Sequence, residues 1–189
     1  MKIFSDYFTP IDENSIPTGK LRSVKGTPFD FSTLRIIGNA IEDDDDVQLT
    51  NGNGYDHNYV IRMEKGNLRK AATVISASSG IVLDILTTEP GVQFYSGNYL
   101  QESIKGRENI TYNFRNGFCL ETQHFPDSPN RPHFPSTLLK KGDKFNLPSL
   151  KRLTNEIRLR ITVCAFPEIY TMLIYITSSF ITSNFISTC

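Results

Sequence analysis

The sequence predicts an all-β protein in which short antiparallel strands alternate with tight turns. Its 189 residues include 13 phenylalanines and 8 tyrosines, and 12 glycines and 10 prolines interrupt the chain. Aromatic and β-branched residues favour strands, whereas glycine and proline mark turns. One stretch has the pattern of a β-hairpin, because the runs AATVISA and IVLDILTT are separated by Ser78, Ser79 and Gly80. A chain of this length is sufficient for one ordinary domain.

The overall composition argues against nucleic-acid binding and against secretion. The 20 basic and 20 acidic residues balance, so the chain lacks the positive charge that nucleic-acid binding requires. Its three cysteines, Cys119, Cys164 and Cys189, are odd in number and far apart, which indicates a reducing compartment rather than a disulfide framework. The opening MKIFSDYFTP has no apolar run of the length found in signal peptides. We therefore expect a cytoplasmic protein.

The N-terminal part is predicted to form one strand followed by loops. Residues 3–8 have the composition of a strand, and residues 9–31 contain too many glycines and prolines for a helix, which predicts a structured surface loop with short strands. Residues 42–46 are five consecutive acids. They lack the alternating ligands and the turn glycine of calcium-binding loops, so we expect a solvated, self-repelling loop.

Two later strands carry polar candidates for a binding site. The Asn-Gly pairs at residues 51–54 predict a tight turn that leads into a strand. In that strand Asp56 and His57 point to opposite faces, so only one of them can face a given pocket. The residues alone favour a strand-start cap for Asp56, with a ligand role as the alternative, and a buried or half-buried structural role for His57. A further short strand places Gln93 and Tyr95 on one face.

Residues 117–135, GFCLETQHFPDSPNRPHFP, begin as a strand and end as a proline-rich loop. Alternation places Glu121 on one face of the strand together with Cys119 and Gln123. Prolines fix backbone angles, and Asp, Ser and Asn side chains bond their own backbone, so we expect the loop to hold one shape. A carboxylate beside such a loop is suited to act as a positioned base, although a solvated strand glutamate has the same pattern.

These segments resemble the aldose 1-epimerase family, whose members are also called galactose mutarotases. The run LETQHFPDSPNRPHFPSTLLKKGDKF is similar to the closing segment of that family. Three further motifs match in the same order: YFTPIDENSIPTG with VKGTPFDF, then GYDHN, then TTEPGVQFYSGN. The resemblance covers residues 3–145. It implies that residues 1–145 form part of an antiparallel β-sandwich of the galactose mutarotase type.

The resemblance also implies roles for three residues. In the family, the glutamate at the position of Glu121 is the general base that removes the proton from the anomeric hydroxyl. The aspartate at Asp56 binds sugar hydroxyls, and the glutamine at Gln93 lies in the sugar site. The implied activity is the interconversion of α- and β-anomers of galactose or glucose by acid–base ring opening, with no cofactor and no metal. The resemblance does not indicate an oligomeric state.

The chain departs from the family pattern at the general acid. Family members are about twice as long, and their acid is a histidine ahead of the segment at which this chain begins. We expect none of His57, His124 and His133 to replace it, because two lie on the wrong strand face and the third lies in a loop. We therefore expect the chain by itself to be a feeble catalyst or none. The alternatives are a non-catalytic sugar-binding module or an inactive fragment that depends on a partner.

Residues 146–189 depart from the family sequence and are predicted to be a divergent, poorly ordered or loosely packed tail. Its second half, residues 169–189, carries no charge. Serine, threonine and asparagine nevertheless recur throughout it, so we do not expect a membrane span.

Overall fold

The computed structural model describes residues 1–43, 45–62, 67–145 and 148–154, and these form two antiparallel β-sheets. The strands are β1 Lys2–Ile3, β2 Ser5–Phe8, β3 Arg22–Ser23, β4 Asp56–Ile61, β5 Arg69–Ile75, β6 Val82–Thr87, β7 Gly91–Tyr95, β8 Cys119–Gln123 and β9 Ser149–Thr154. One sheet has the order β1-β5-β6-β9 and the other the order β3-β2-β4-β7-β8. The helical segments are short: α1 Val47–Gly52 and the 3₁₀ segments Ile37–Ala40, Arg107–Asn109 and Ser128–Asn130. The predicted all-β class is confirmed.

The two sheets share one hydrophobic core, as expected for a sandwich. Strand β4 contributes buried His57, Tyr59 and Ile61, which alternate along the strand. The other sheet contributes buried side chains such as Ala72 and Ile85 to the same cluster. Asp56, next to His57, is only partly buried and lies on the opposite face. The predicted separation of these two side chains is therefore confirmed.

The predicted hairpin is also confirmed, since β5 pairs with β6 in an antiparallel register from Arg69 to Ile75. Strand β9 adds to the free side of β6, with Leu83 opposite Leu153. This strand comes from the segment assigned to the divergent tail. Residues 155–189, with the uncharged run and the other two cysteines, lie outside the described residues. Within the described residues, no helix is long and apolar enough to cross a membrane.

Residues 9–31 differ from the surface loop that the sequence predicts, because they supply part of the core. Phe29 and Phe31 are fully buried. The Phe29 carbonyl accepts a hydrogen bond from the hydroxyl of Tyr59 at 3.2 Å, and the Phe31 carbonyl accepts one from the amide of Ile3 at 2.8 Å. Glycines and prolines do break the segment, but the aromatic residues between them drive it into the core.

The acidic run at residues 42–46 is only partly solvated, which corrects the prediction. Asp46 is buried, and one of its oxygens accepts a hydrogen bond from the amide of Gln48 at the start of α1. Its carboxylate also binds the guanidinium of Arg22 at 2.8 and 2.6 Å. The following Asn-Gly pairs form the end of this helix rather than a simple turn, with Asn53 left-handed at φ 52°.

Candidate active site

The polar face of β4, β7 and β8 carries a pocket that contains all three residues predicted to act on a sugar. Each strand contributes one of them, namely Asp56, Gln93 and Glu121. The cavity measures about 460 Å³. Its lining consists of Asp56, Gln93, Tyr95, Tyr99, Cys119, Glu121, Gln123 and Pro126.

Strand register explains why these side chains meet. Gln93 on the middle strand lies directly opposite Asn58 on one side and Glu121 on the other. Side chains directly opposite each other in antiparallel strands have Cβ atoms roughly 4.5–5.5 Å apart. Asp56 lies two residues before Asn58 and therefore on the same face. The predicted grouping of Glu121 with Cys119 is also observed, since both line the pocket.

A chain of side-chain amides runs across the floor of the pocket. The Nε2 atom of Gln93 donates to Oδ1 of Asp56 at 2.8 Å. The Nε2 atom of Gln123 donates to Oε1 of Gln93 at 3.3 Å and to Oδ1 of Asn58 at 3.4 Å. Strand alternation predicts the face on which Gln123 lies, but neither Gln123 nor Asn58 is among the site residues that the sequence predicts. Alternation with Asp56 would have indicated Asn58 as a candidate.

The two carboxyl groups of the pocket are harder to ionise than exposed ones. Burial raises the pKa of Glu121, and the negative charge of Asp56 raises it further. Burial also raises the pKa of Asp56, although the hydrogen bond from Gln93 acts in the opposite direction. No described residue that lines the pocket is basic. The pocket therefore concentrates negative charge and hydrogen-bond acceptors that suit ligands with several hydroxyl groups.

One end of the pocket is aromatic and carries a neutral thiol. The rings of Tyr95 and Tyr99 stack with centroids 6.3 Å apart, and the amide of Tyr99 donates to the hydroxyl of Tyr95 at 2.8 Å. Burial raises the pKa of the Cys119 thiol to about 12, so that group is protonated and not nucleophilic at neutral pH.

The proline-rich loop after β8 contributes Pro126 to the lining of the pocket. The hydroxyl of Ser128 donates to the Phe125 carbonyl at 2.6 Å, and Nε of Arg131 binds the carboxylate of Asp127 at 2.9 Å. These bonds lie within the loop, as the sequence predicts for a segment that holds one shape.

All three histidines of the sequence lie away from the pocket. His57 is buried against the rings of Phe8 and Phe29, and burial lowers its pKa to about 3. His124 contacts the buried carboxylate of Glu89 at 2.7 Å. His133 lies 2.7 Å from the carbonyl of Gly19. Within the described residues, no group of three or more acidic, cysteine or histidine side chains is arranged to hold a metal ion.

Comparison with known proteins identifies the same family over most of the chain. Residues 1–149 match the aldose 1-epimerase family model. Galactose mutarotase from Bos taurus is 44% identical over 144 residues, which is 76% of this chain and 40% of that protein. Aldose 1-epimerase from Escherichia coli is 36% identical over 148 residues, which is 77% of this chain and 42% of that protein. The chain thus spans about two fifths of the length of these curated relatives.

Solved structures show the same likeness in three dimensions. An aldose epimerase homologue from C. elegans superposes with a TM-score of 0.71 at 26% identity, over 81% of this chain and 44% of that one. A galactose 1-epimerase from Lactobacillus acidophilus gives a TM-score of 0.54 at 32% identity, over 66% of this chain and 34% of that one.

Proposed function

Because this chain belongs to the aldose 1-epimerase family, we propose that its pocket binds the anomeric end of a hexose and that Glu121 is the general base. The observation that carries the proposal is the convergence of Asp56, Gln93 and Glu121, from three adjacent strands, in one cavity. Galactose and glucose are the proposed substrates, and no cofactor is required. We place the protein in the cytoplasm, where a free cysteine such as Cys119 stays reduced.

The environment of Glu121 suits proton removal from a sugar hydroxyl. Burial and the neighbouring Asp56 raise the pKa of Glu121, and a carboxylate with a higher pKa is a stronger base once it is ionised. Glu121 takes the proton of the hydroxyl on C1 as that oxygen becomes the carbonyl oxygen, and the bond between C1 and the ring oxygen breaks as the ring oxygen takes a proton from an acid. After rotation about the bond between C1 and C2, the ring oxygen attacks either face of the carbonyl. The reverse proton transfers then give the other anomer.

Asp56 and Gln93 are the proposed sugar ligands. The carboxylate of Asp56 can accept hydrogen bonds from two neighbouring hydroxyl groups, and one amide hydrogen of Gln93 already points to it. The second amide hydrogen of Gln93 is available to donate to a sugar oxygen. This pairing of acceptor and donor matches a hydroxyl group, which both donates and accepts.

Ring opening also needs an acid at the ring oxygen, and the three histidines of this chain lie elsewhere. Each acid or base is worth roughly 10²–10⁴-fold in rate. We therefore propose that this chain supplies the base and the sugar contacts and that it is a weak catalyst when it acts alone. The position of the histidines favours one second candidate function, a sugar-binding module without catalysis.

Polarimetry of freshly dissolved α-galactose tests both functions, with the folded full chain compared to buffer. Any acceleration of the equilibration between the galactose anomers should disappear in Glu121→Gln and persist in Glu102→Gln. Glu102 is a matched control because it is exposed and lies outside the pocket. Calorimetric titration with galactose then tests binding. Galactose binding that Asp56→Ala abolishes, without acceleration, would establish the binding module and reject catalysis. No binding at millimolar galactose would reject both.

A further inference from the structure

The polarity of the amide chain across the pocket is set by Asp56. An ionised carboxylate can only accept hydrogen bonds, so Gln93 must turn its nitrogen toward Asp56, at the observed 2.8 Å. The oxygen of the same amide then faces the opposite way. It can only accept a hydrogen bond, and Gln123 supplies the donor at 3.3 Å. Each amide therefore fixes the orientation of the next.

The backbone around Gly91 makes room for the far end of this chain. Gly91 lies directly opposite Gln123 on the neighbouring strand. A Cβ atom at Gly91 would lie 2.2 Å from Oδ1 of Asn58, so only glycine allows that buried amide its present position. In this position Asn58 accepts the second hydrogen of the Gln123 amide at 3.4 Å. Both hydrogens of the Gln123 nitrogen are thus directed to oxygens within the protein.

We propose that Gln123 is a positioning residue of this site, whose amide nitrogen bridges Asn58 and Gln93 and holds the nitrogen of Gln93 toward Asp56. The inference rests on the proposed function, since it assigns a role within the same sugar pocket. It also specifies the hydroxyl that the site recognises. That hydroxyl donates a hydrogen bond to Asp56 and accepts one from Gln93, so a sugar oxygen that carries no hydrogen binds poorly at this point.

Two substitutions separate this role from simple packing. Gln123→Met keeps the length of the side chain and removes the donor, so Oε1 of Gln93 loses its hydrogen bond and the bond to Asp56 alone orients the amide. The loss of one neutral hydrogen bond predicts galactose affinity weaker by about 3- to 10-fold. Gln123→Glu places a carboxylate against Oε1 of Gln93, so the amide of Gln93 can present its nitrogen to only one of the two carboxylates that flank it. The predicted loss is roughly tenfold or more.

The loss in Gln123→Glu should depend on pH, which a packing defect would not cause. When the new carboxyl group is protonated it regains one hydrogen-bond donor. The galactose affinity of Gln123→Glu, relative to the wild type at the same pH, should therefore recover as the pH falls. The matched control is Thr122→Val, because Thr122 neighbours Gln123 on β8 and points to the other face. Its affinity should equal that of the wild type at every pH.

A second measurement does not depend on sugar binding. The two side-chain amide protons of Gln93 in ¹⁵N-labelled protein should change chemical shift in Gln123→Met and Gln123→Glu but not in Thr122→Val. The positioning role would be overturned if the wild type binds galactose and both Gln123 variants keep its affinity and its Gln93 signals. That result would leave the proposed function standing. No galactose binding by the wild type would overturn the proposed function and this role with it. If Gln123→Met does not melt cooperatively, Gln123→Asn takes its place, since its shorter amide cannot reach both partners.

Discussion

Substituting Gly91 by alanine tests how tightly the floor of the pocket is built. The new Cβ atom would lie 2.2 Å from Oδ1 of Asn58 and 3.1 Å from Cδ1 of Phe125. Carbon and oxygen atoms cannot remain at 2.2 Å, and Asn58 is only 1% exposed, so it cannot move into solvent. Overpacking of this kind costs about 1–3 kcal/mol of the free energy of unfolding. For a chain of this size that loss lowers the melting temperature by roughly 2–12 °C.

The assay is thermal unfolding followed by circular dichroism, together with galactose titration at a temperature at which both proteins are folded. Displacement of Asn58 removes the acceptor that it offers to Gln123, so Gly91→Ala should weaken sugar binding as well as lower the melting temperature. Gly38→Ala is the matched control. Gly38 lies in a 3₁₀ segment, and an added Cβ atom meets nothing within 4 Å. It should melt within about 2 °C of the wild type, as expected for surface substitutions.

A Gly91→Ala variant with the melting temperature and the galactose affinity of the wild type would refute this reasoning. It would mean that Asn58 moves without cost and that its contact with Gln123 contributes nothing to the site. A lower melting temperature with unchanged galactose affinity would retain the packing argument and refute the link to binding.

Three further predictions concern ionisable groups. Asp46→Ala removes the N-terminal cap of α1 and one partner of the ion pair with Arg22, which is partly exposed. It should lower the free energy of unfolding, measured in urea, by about 1–2 kcal/mol. Burial lowers the pKa of His57 from 6.5 to about 3 in the folded chain. As the pH falls from 6.5 toward 3, His57 is protonated in the unfolded chain but not in the folded chain, so the free energy of unfolding decreases. At pH 5 this loss is about 2 kcal/mol, and it should be absent in His57→Gln. Asp56→Asn removes a neighbouring negative charge and should lower the pKa of Glu121, although burial still holds that pKa above its ordinary value. Titration of the Glu121 carboxyl carbon by ¹³C NMR measures the change.

Each of these predictions has a control or a contradicting result. Asp43→Ala removes an exposed acid from the same run and should leave unfolding unchanged. The pH comparison uses the difference between wild type and His57→Gln, because the raised pKa values of Asp56 and Glu121 act with the opposite sign as pH falls. Parallel pH profiles for the two proteins would contradict a neutral buried His57. An unchanged Glu121 titration in Asp56→Asn would contradict their electrostatic interaction.

Much of the sheet that bears the site could be predicted from local pattern. Strand alternation was sufficient to separate Asp56 from His57 and to group Cys119, Glu121 and Gln123, because the period of side chains in a strand is fixed at two. The meeting of Gln93 with Glu121 could not be derived in this way. It depends on the register between β7 and β8, which long-range packing sets and which the sequence analysis reached only through the resemblance to a family.

The errors in the sequence analysis have a common physical cause. Local composition predicts an exposed position for polar and turn-forming residues, yet Asp46 is buried because it caps α1 and binds Arg22. Phe29 and Phe31 are buried because the loop that carries them folds back over β4. In each case a partner distant in sequence decides whether the residue is buried. Composition within a short window does not contain that information.

The central claim is that Asp56, Gln93 and Glu121 together hold the anomeric end of a hexose. A crystal structure of the chain grown with D-galactose tests it most directly. We expect one pyranose in the pocket, with its anomeric oxygen about 2.6–3.2 Å from a carboxylate oxygen of Glu121 and another hydroxyl between Asp56 and Gln93. A galactose bound elsewhere, or one whose anomeric carbon points away from Glu121, would contradict the claim.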